Sequence, residues 1–279
     1  MMTRSLYNKE YIDSCNPDFY NAEEDMDNTI GTYSTNYALF AVCMFFAIKF
    51  ASCPTNKKSG NIQQSSKKPA LFNKYLIAFF AFTALSFGVA GIGHQILERT
   101  SDKARVPIET SSFVLANFAS IALMLMIFAF TDIRPKKTLF WKKIVWYLGV
   151  IIMVAAIAAT IVTNRIIPSS AVNALLQLIA FVLLIFTGKK DVENRFHYNT
   201  KIAGFAVTLL SVAVFGGFAS ACFDYENCFE ECPFPLDFNL NAVFHVIYLV
   251  GVGILGWSEI VSPSSVFLED DVSNSEFDA

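Results

Sequence analysis

The sequence predicts an all-α, polytopic membrane protein of seven transmembrane helices, with its N-terminus outside the cytosol and its C-terminus inside. Three observations predict it. Apolar residues fill 54% of the 279 positions and charged residues only 16%, whereas a soluble domain carries about a quarter charged residues. Phe alone occurs 28 times, more than a water-facing surface readily hides. The apolar residues also gather into runs of lipid length, since a hydrocarbon core of about 30 Å takes roughly 20 residues of helix.

Seven runs meet that template. Residues 33–53 open the membrane domain with TNYALF, and residues 75–96 close the second run on the small-residue stretch GVAGIGH. Residues 111–131 form the third run, and residues 144–163 the fourth, which contains no charge. The fifth, 171–187, is the shortest; 202–222 and 238–260 complete the set. Lysine pairs such as Lys57-Lys58, Lys136-Lys137 and Lys189-Lys190 break the chain between alternate runs. The chain thus divides into an extracytosolic acidic arm (1–32), a membrane domain (33–260) and a cytosolic acidic tail (261–279).

Orientation follows from basic residues, which stay cytosolic during insertion. Connections 54–74, 132–143 and 188–201, with the tail, hold fourteen Lys and Arg, against six in the arm and the other three connections. Residues 1–32 lack the apolar stretch of a signal peptide, so the first helix is expected to insert itself. In the tail, Ser273 and Ser275 stand among acidic residues, as in an acidic-directed phosphorylation site. Cysteine placement agrees with this orientation. Cys15, Cys222, Cys228 and Cys232 all fall on the expected outer side, where disulfides persist, and they allow three pairings. A net charge of -3 without clustered basic residues excludes nucleic-acid binding. The expected partners are membrane lipids and a lipid or small-molecule ligand.

Three histidines limit the chemistry. His197 lies in a basic connection and reads as solvated. His94 ends the second run and His245 stands early in the seventh, so both are expected near the outer face. Ionisable groups in membrane helices are costly and are usually kept for a partner, an ion or a ligand.

This arrangement resembles the heptahelical hydrolase superfamily that includes alkaline ceramidases and adiponectin-type receptors. The resemblance rests on the outer His of helix two and on FNLNAVFH in helix seven. It is nearest to a branch of that superfamily whose metal site is degenerate. The resemblance implies a zinc ion, held by one His of helix two and two of helix seven, that activates water for hydrolysis of a lipid amide. Carried over by position, His94 and His245 are two ligands. The third is missing, because Asn241 and Leu240 occupy the places where a histidine is needed. Asp224 is a candidate third ligand, with Glu226 and Asp237 as further acidic choices. The family's serine one turn before the helix-two histidine is Ala90 here, with Ser86 a further turn back. Its acidic residue in helix three has Asn117 as the nearest polar match. Ser86, Asn117 and Asn241 are therefore the expected pocket residues.

Other seven-helix classes fit less well. The rhodopsin-like acidic-Arg-aromatic signature is absent after helix three, and no Lys lies inside helix seven to bind retinal. The deep polar groups Asn117, Asn173 and Gln177 read as helix bridges, and glycines 88, 91, 216, 217, 251, 253 and 256 as close-packing positions. The sequence therefore predicts an outward-opening intramembrane pocket between helices two, three, six and seven. The function expected there is that of a metal-dependent lipid amide hydrolase relative with lost or altered chemistry. The alternative is a non-enzymatic heptahelical receptor or membrane-organising protein.

Overall fold

The computed structural model describes residues 30–52, 67–96, 102–130, 135–163, 167–187, 195–222, 233 and 239–261. Seven helices lie among them: α1 (Ile30–Ser52), α2 (Lys67–Ile96), α3 (Asp102–Phe130), α4 (Pro135–Thr163), α5 (Ile167–Thr187), α6 (Arg195–Cys222) and α7 (Leu240–Val261). Each predicted apolar run coincides with one of them to within two residues at its ends, save where the helix starts or stops beyond the run. Five are long and apolar enough to cross a membrane: Ile30–Ser52, Phe72–Gln95, Thr110–Ile127, Tyr198–Phe218 and Leu240–Val261. α4 and α5 contribute shorter apolar stretches, Trp146–Ala159 and Ser169–Ile185.

Several helices begin before their apolar run. α2, α3 and α4 start eight or nine residues ahead of the predicted 75, 111 and 144, because lysine-rich and polar turns form helix as readily as apolar ones. Pro107 sits within the first two turns of α3. There the carbonyl it leaves without an intrahelical donor lies near the helix end.

The main contacts form a ring. α1 packs on α2, α2 on α3, α3 on α5, α5 on α6, α6 on α7, and α7 returns to α1, while α4 lies outside against α3 and α5. The core is aromatic: Phe46, Phe50, Phe79 and Phe80 are buried, with Phe46 and Phe80 centroids 5.1 Å apart. The outer faces are apolar too. Phe45 is 57% exposed, Ile151 65% and Trp257 63%, and a helix apolar all round is one that lipid covers.

Glycines set the closest approaches. A Cβ on Gly256 would lie 2.5 Å from the Phe46 ring, and one on Gly88 2.9 Å from Phe40. Backbone meets backbone between α6 and α7, where a Cβ on Gly251 would lie 2.7 Å from the Thr208 nitrogen and 2.9 Å from the Gly204 carbonyl. Small residues admit such backbone contact, the usual way membrane helices pack. Gly216, Gly217 and Gly253 depart from the expectation, for a Cβ there would meet nothing within 4 Å.

Candidate functional site

Two polar sites stand at opposite ends of the bundle. His245 and Glu259 share α7, and at 1.5 Å rise per residue fourteen positions put them roughly 21 Å apart along it.

The histidine end is built where α7 begins. Asn239 caps that helix: its Oδ1 accepts from the Ala242 amide at 3.1 Å, and its carbonyl accepts from the Val243 amide at 3.0 Å, the geometry that satisfies otherwise orphan amides. The same Oδ1 accepts from the Thr32 hydroxyl of α1 at 3.2 Å, so one side chain both starts α7 and ties it to α1. Asn241, two positions on, is half-buried. The capping role of Asn239 is not visible in FNLN itself, because the position of a cap depends on where the helix begins.

His245 is 4% exposed. Its Nδ1 lies 3.0 Å from Thr35 Oγ1, and that hydroxyl lies 2.7 Å from the Gly31 carbonyl and 2.9 Å from the Thr32 carbonyl. The Thr35 hydroxyl thus stands between the α1 backbone and the imidazole and ties the ring to α1. Phe87 meets the imidazole edge-to-face at 5.4 Å and Phe244 flanks it at 5.3 Å. His94 is half-buried near the end of α2, and the two imidazoles interact electrostatically.

The other expected pocket residues divide. Ser86 clasps α2 to α3: its hydroxyl donates to the Ser112 carbonyl at 2.9 Å, and the Ser112 hydroxyl donates back to the Ser86 carbonyl at 3.0 Å. Asn117 is fully buried on α3, with no partner for its amide nitrogen or oxygen among the described residues. Asp224, Glu226, Asp237, Cys15, Cys228 and Cys232 lie outside the described residues, as does the side chain of Cys222. A catalytic zinc takes three protein ligands and an open position. Among the described residues, no three His, Cys, Asp or Glu side chains form a group that would hold a metal ion, so the described part of the site offers two histidines of the three.

Below the histidines a neutral polar network crosses the bundle. Tyr248, three residues after His245 and in ring contact with Phe87 at 5.4 Å, shares side-chain hydrogen bonds with Gln177 of α5 and Thr83 of α2. Gln177 donates to Asn173 Oδ1 at 2.7 Å, and Ser120 of α3 donates to the same oxygen at 3.1 Å. Asn173 and Gln177 are the helix bridges that the sequence suggested.

At the far end Lys201 of α6 and Glu259 of α7 form an ion pair at 2.8 Å, with side chains 10% and 6% exposed. Beside it lies a cavity of about 30 Å³, lined by Phe72, Leu76, Phe80, Leu123 and Phe205 among others, and by the pair itself. Neither charge stands out in the sequence: Lys201 ends the basic connection 188–201, and Glu259 lies inside the seventh apolar run. The signal was an acidic residue in GWSEIV without a nearby base on its own helix.

The family model described as "Family of unknown function (DUF6962)" matches residues 32–259. The chain belongs to that family, and the match covers all seven helices. No curated protein and no solved structure matches it.

Proposed function

We propose that this member of the DUF6962 family crosses the membrane seven times with its N-terminus outside, and acts as a non-enzymatic receptor or membrane-organising protein. Its expected ligand is a lipid or small molecule at the histidine end. One observation carries this reading: His245 is already engaged as a packing hub. Its Nδ1 is held by Thr35, its ring is caged by Phe87 and Phe244, and Phe87 leads on to Tyr248. A hub of that kind relays a change at one helix to its neighbours and does not itself demand chemistry. Membrane bundles commonly keep such intramembrane polar groups for ligand or signal pathways.

A second reading is a zinc-dependent lipid amidase of the heptahelical hydrolase kind. Supporting it is the electrostatic interaction between His94 and His245. If zinc binds, these two residues hold it, and the metal supplies an activated water.

Metal analysis separates the two. The protein is purified from zinc-supplemented culture alongside His94→Ala and His245→Ala variants. The receptor reading expects less than 0.1 zinc per chain, roughly, in all three. About one zinc per chain in wild type, lost in both variants, replaces it with the hydrolase reading.

A further inference from the structure

We infer that Asn117 holds one buried water molecule, which engages both hydrogen-bonding atoms of its carboxamide and joins it to Ser120. The site lies midway along α3 and stands independently of what the histidine end binds.

Asn117 is fully buried, and neither its Oδ1 nor its Nδ2 has a hydrogen-bond partner among the described residues. Buried polar side chains are nearly always bonded, so an orphaned one calls for a partner. In a membrane bundle the demand is sharper, because lipid around the helices offers none. The chemistry of that partner follows from the carboxamide itself. It carries an unused donor and an unused acceptor on one planar group, so the partner must accept and donate at once. An anion or a bare carbonyl would satisfy only the nitrogen, and a metal or ammonium ion only the oxygen. A water molecule does both: it receives from Nδ2–H and gives one O–H to Oδ1. Its second proton remains.

Ser120 is where that proton goes. Asn117 and Ser120 stand three residues apart on α3, so they are neighbours on one helix face with Cβ atoms roughly 5–6 Å apart. Both are buried. Two hydrogen bonds of about 2.8 Å through one water span such an interval. The Ser120 hydroxyl already donates to Asn173 Oδ1 at 3.1 Å, which leaves its oxygen to accept. The water then makes three hydrogen bonds, about the usual number for a buried one. Small side chains surround this turn: Ala116 and Ala119 on α3, and on α5 the buried Ser169, one turn ahead of Asn173. The neutral network that runs from Tyr248 through Gln177 and Asn173 to Ser120 thereby gains one more member, and Asn117 ceases to be an isolated polar group in an apolar interior.

The test looks for the water at the side chain itself. The full chain, isotope-labelled and reconstituted in lipid bilayers, is measured by solid-state NMR with magnetisation transferred from water protons. Asn117→Leu identifies the Asn117 side-chain resonance by its loss. In the wild type, signal at Asn117 Nδ2 is expected to build up roughly five-fold faster than at the backbone amide of Leu125, a buried residue two turns further along α3, because a bound water lies against the first and not the second. Ser120→Cys keeps the bulk of the serine but puts a weak acceptor in its place, and the build-up at Asn117 is expected to slow about two-fold. Three outcomes overturn the inference: a build-up at Asn117 no faster than at Leu125, magnetisation that arrives from lipid protons in place of water, or an unchanged rate in Ser120→Cys.

Discussion

The two ends of the bundle solve the same problem with different chemistry. At the histidine end, α1 and α7 are held by neutral groups: Asn239 bridging Thr32 and the Ala242 amide, and Thr35 fixing His245. At the far end, α6 and α7 are held by full charges, Lys201 and Glu259. A neutral hydrogen bond in an apolar interior gains or loses about 1 kcal/mol when one partner is removed. A buried ion pair gives little net stability when intact, yet stranding one of its charges costs several kcal/mol. The ends should therefore answer very differently to single substitutions.

Breaking the charged end gives the largest effect. Lys201→Met removes the base paired with the Glu259 carboxylate, and a loss of about 3–5 kcal/mol is expected in denaturant unfolding of the detergent-solubilised protein. The double variant Lys201→Met with Glu259→Leu should recover most of that loss. If the double variant is as unstable as the single, the pair does more than neutralise charge. Next comes the close backbone contact of α6 with α7. Gly251→Ala forces a methyl against the Thr208 backbone nitrogen, and an overpacking loss of about 1–3 kcal/mol is expected. Gly253→Ala, where a Cβ meets nothing within 4 Å, should fall within about 0.5 kcal/mol of wild type, and thermal melts of the two variants side by side measure the contrast. The smallest effect belongs to the neutral end. Asn239→Ala removes the cap of α7, for a loss of about 1 kcal/mol, while Asn239→Asp keeps most of it. Equal losses in those two variants would show that the side-chain amide nitrogen, and not the accepting oxygen, is what Asn239 supplies.

Much of this architecture was legible in the sequence. Lipid-length apolar runs located every helix, because hydrocarbon thickness fixes the length of a span and little else competes with it. Helix starts were less legible: Lys67, Asp102 and Pro135 begin α2, α3 and α4 in polar sequence that hydropathy cannot separate from a loop. His94 and His245 stood out as candidates because alternate helices reverse direction, which puts the end of α2 and the start of α7 toward the same end of the bundle. The Lys201–Glu259 pair was not readable in that way. Lys201 sits where a basic loop is expected to end, and only its partner across the bundle shows that it belongs inside. Asn239 and Asn241 differ in role by two positions, a distinction set by where α7 takes its first turn. The contrast between Gly251 and Gly253 is of the same kind, since the face a glycine presents depends on helix rotation, which apolar composition leaves open.

The separation of the paired charges onto α6 and α7 also bears on how the molecule is made. Synthesis delivers α6 first, so the ammonium reaches the bilayer before the carboxylate exists and must wait near the headgroups. The last helix then carries in the matching anion, and the two can settle inward together. A chain interrupted ahead of α7 would strand a cation in α6, giving the cell a chemical mark by which an unfinished copy differs from a finished one.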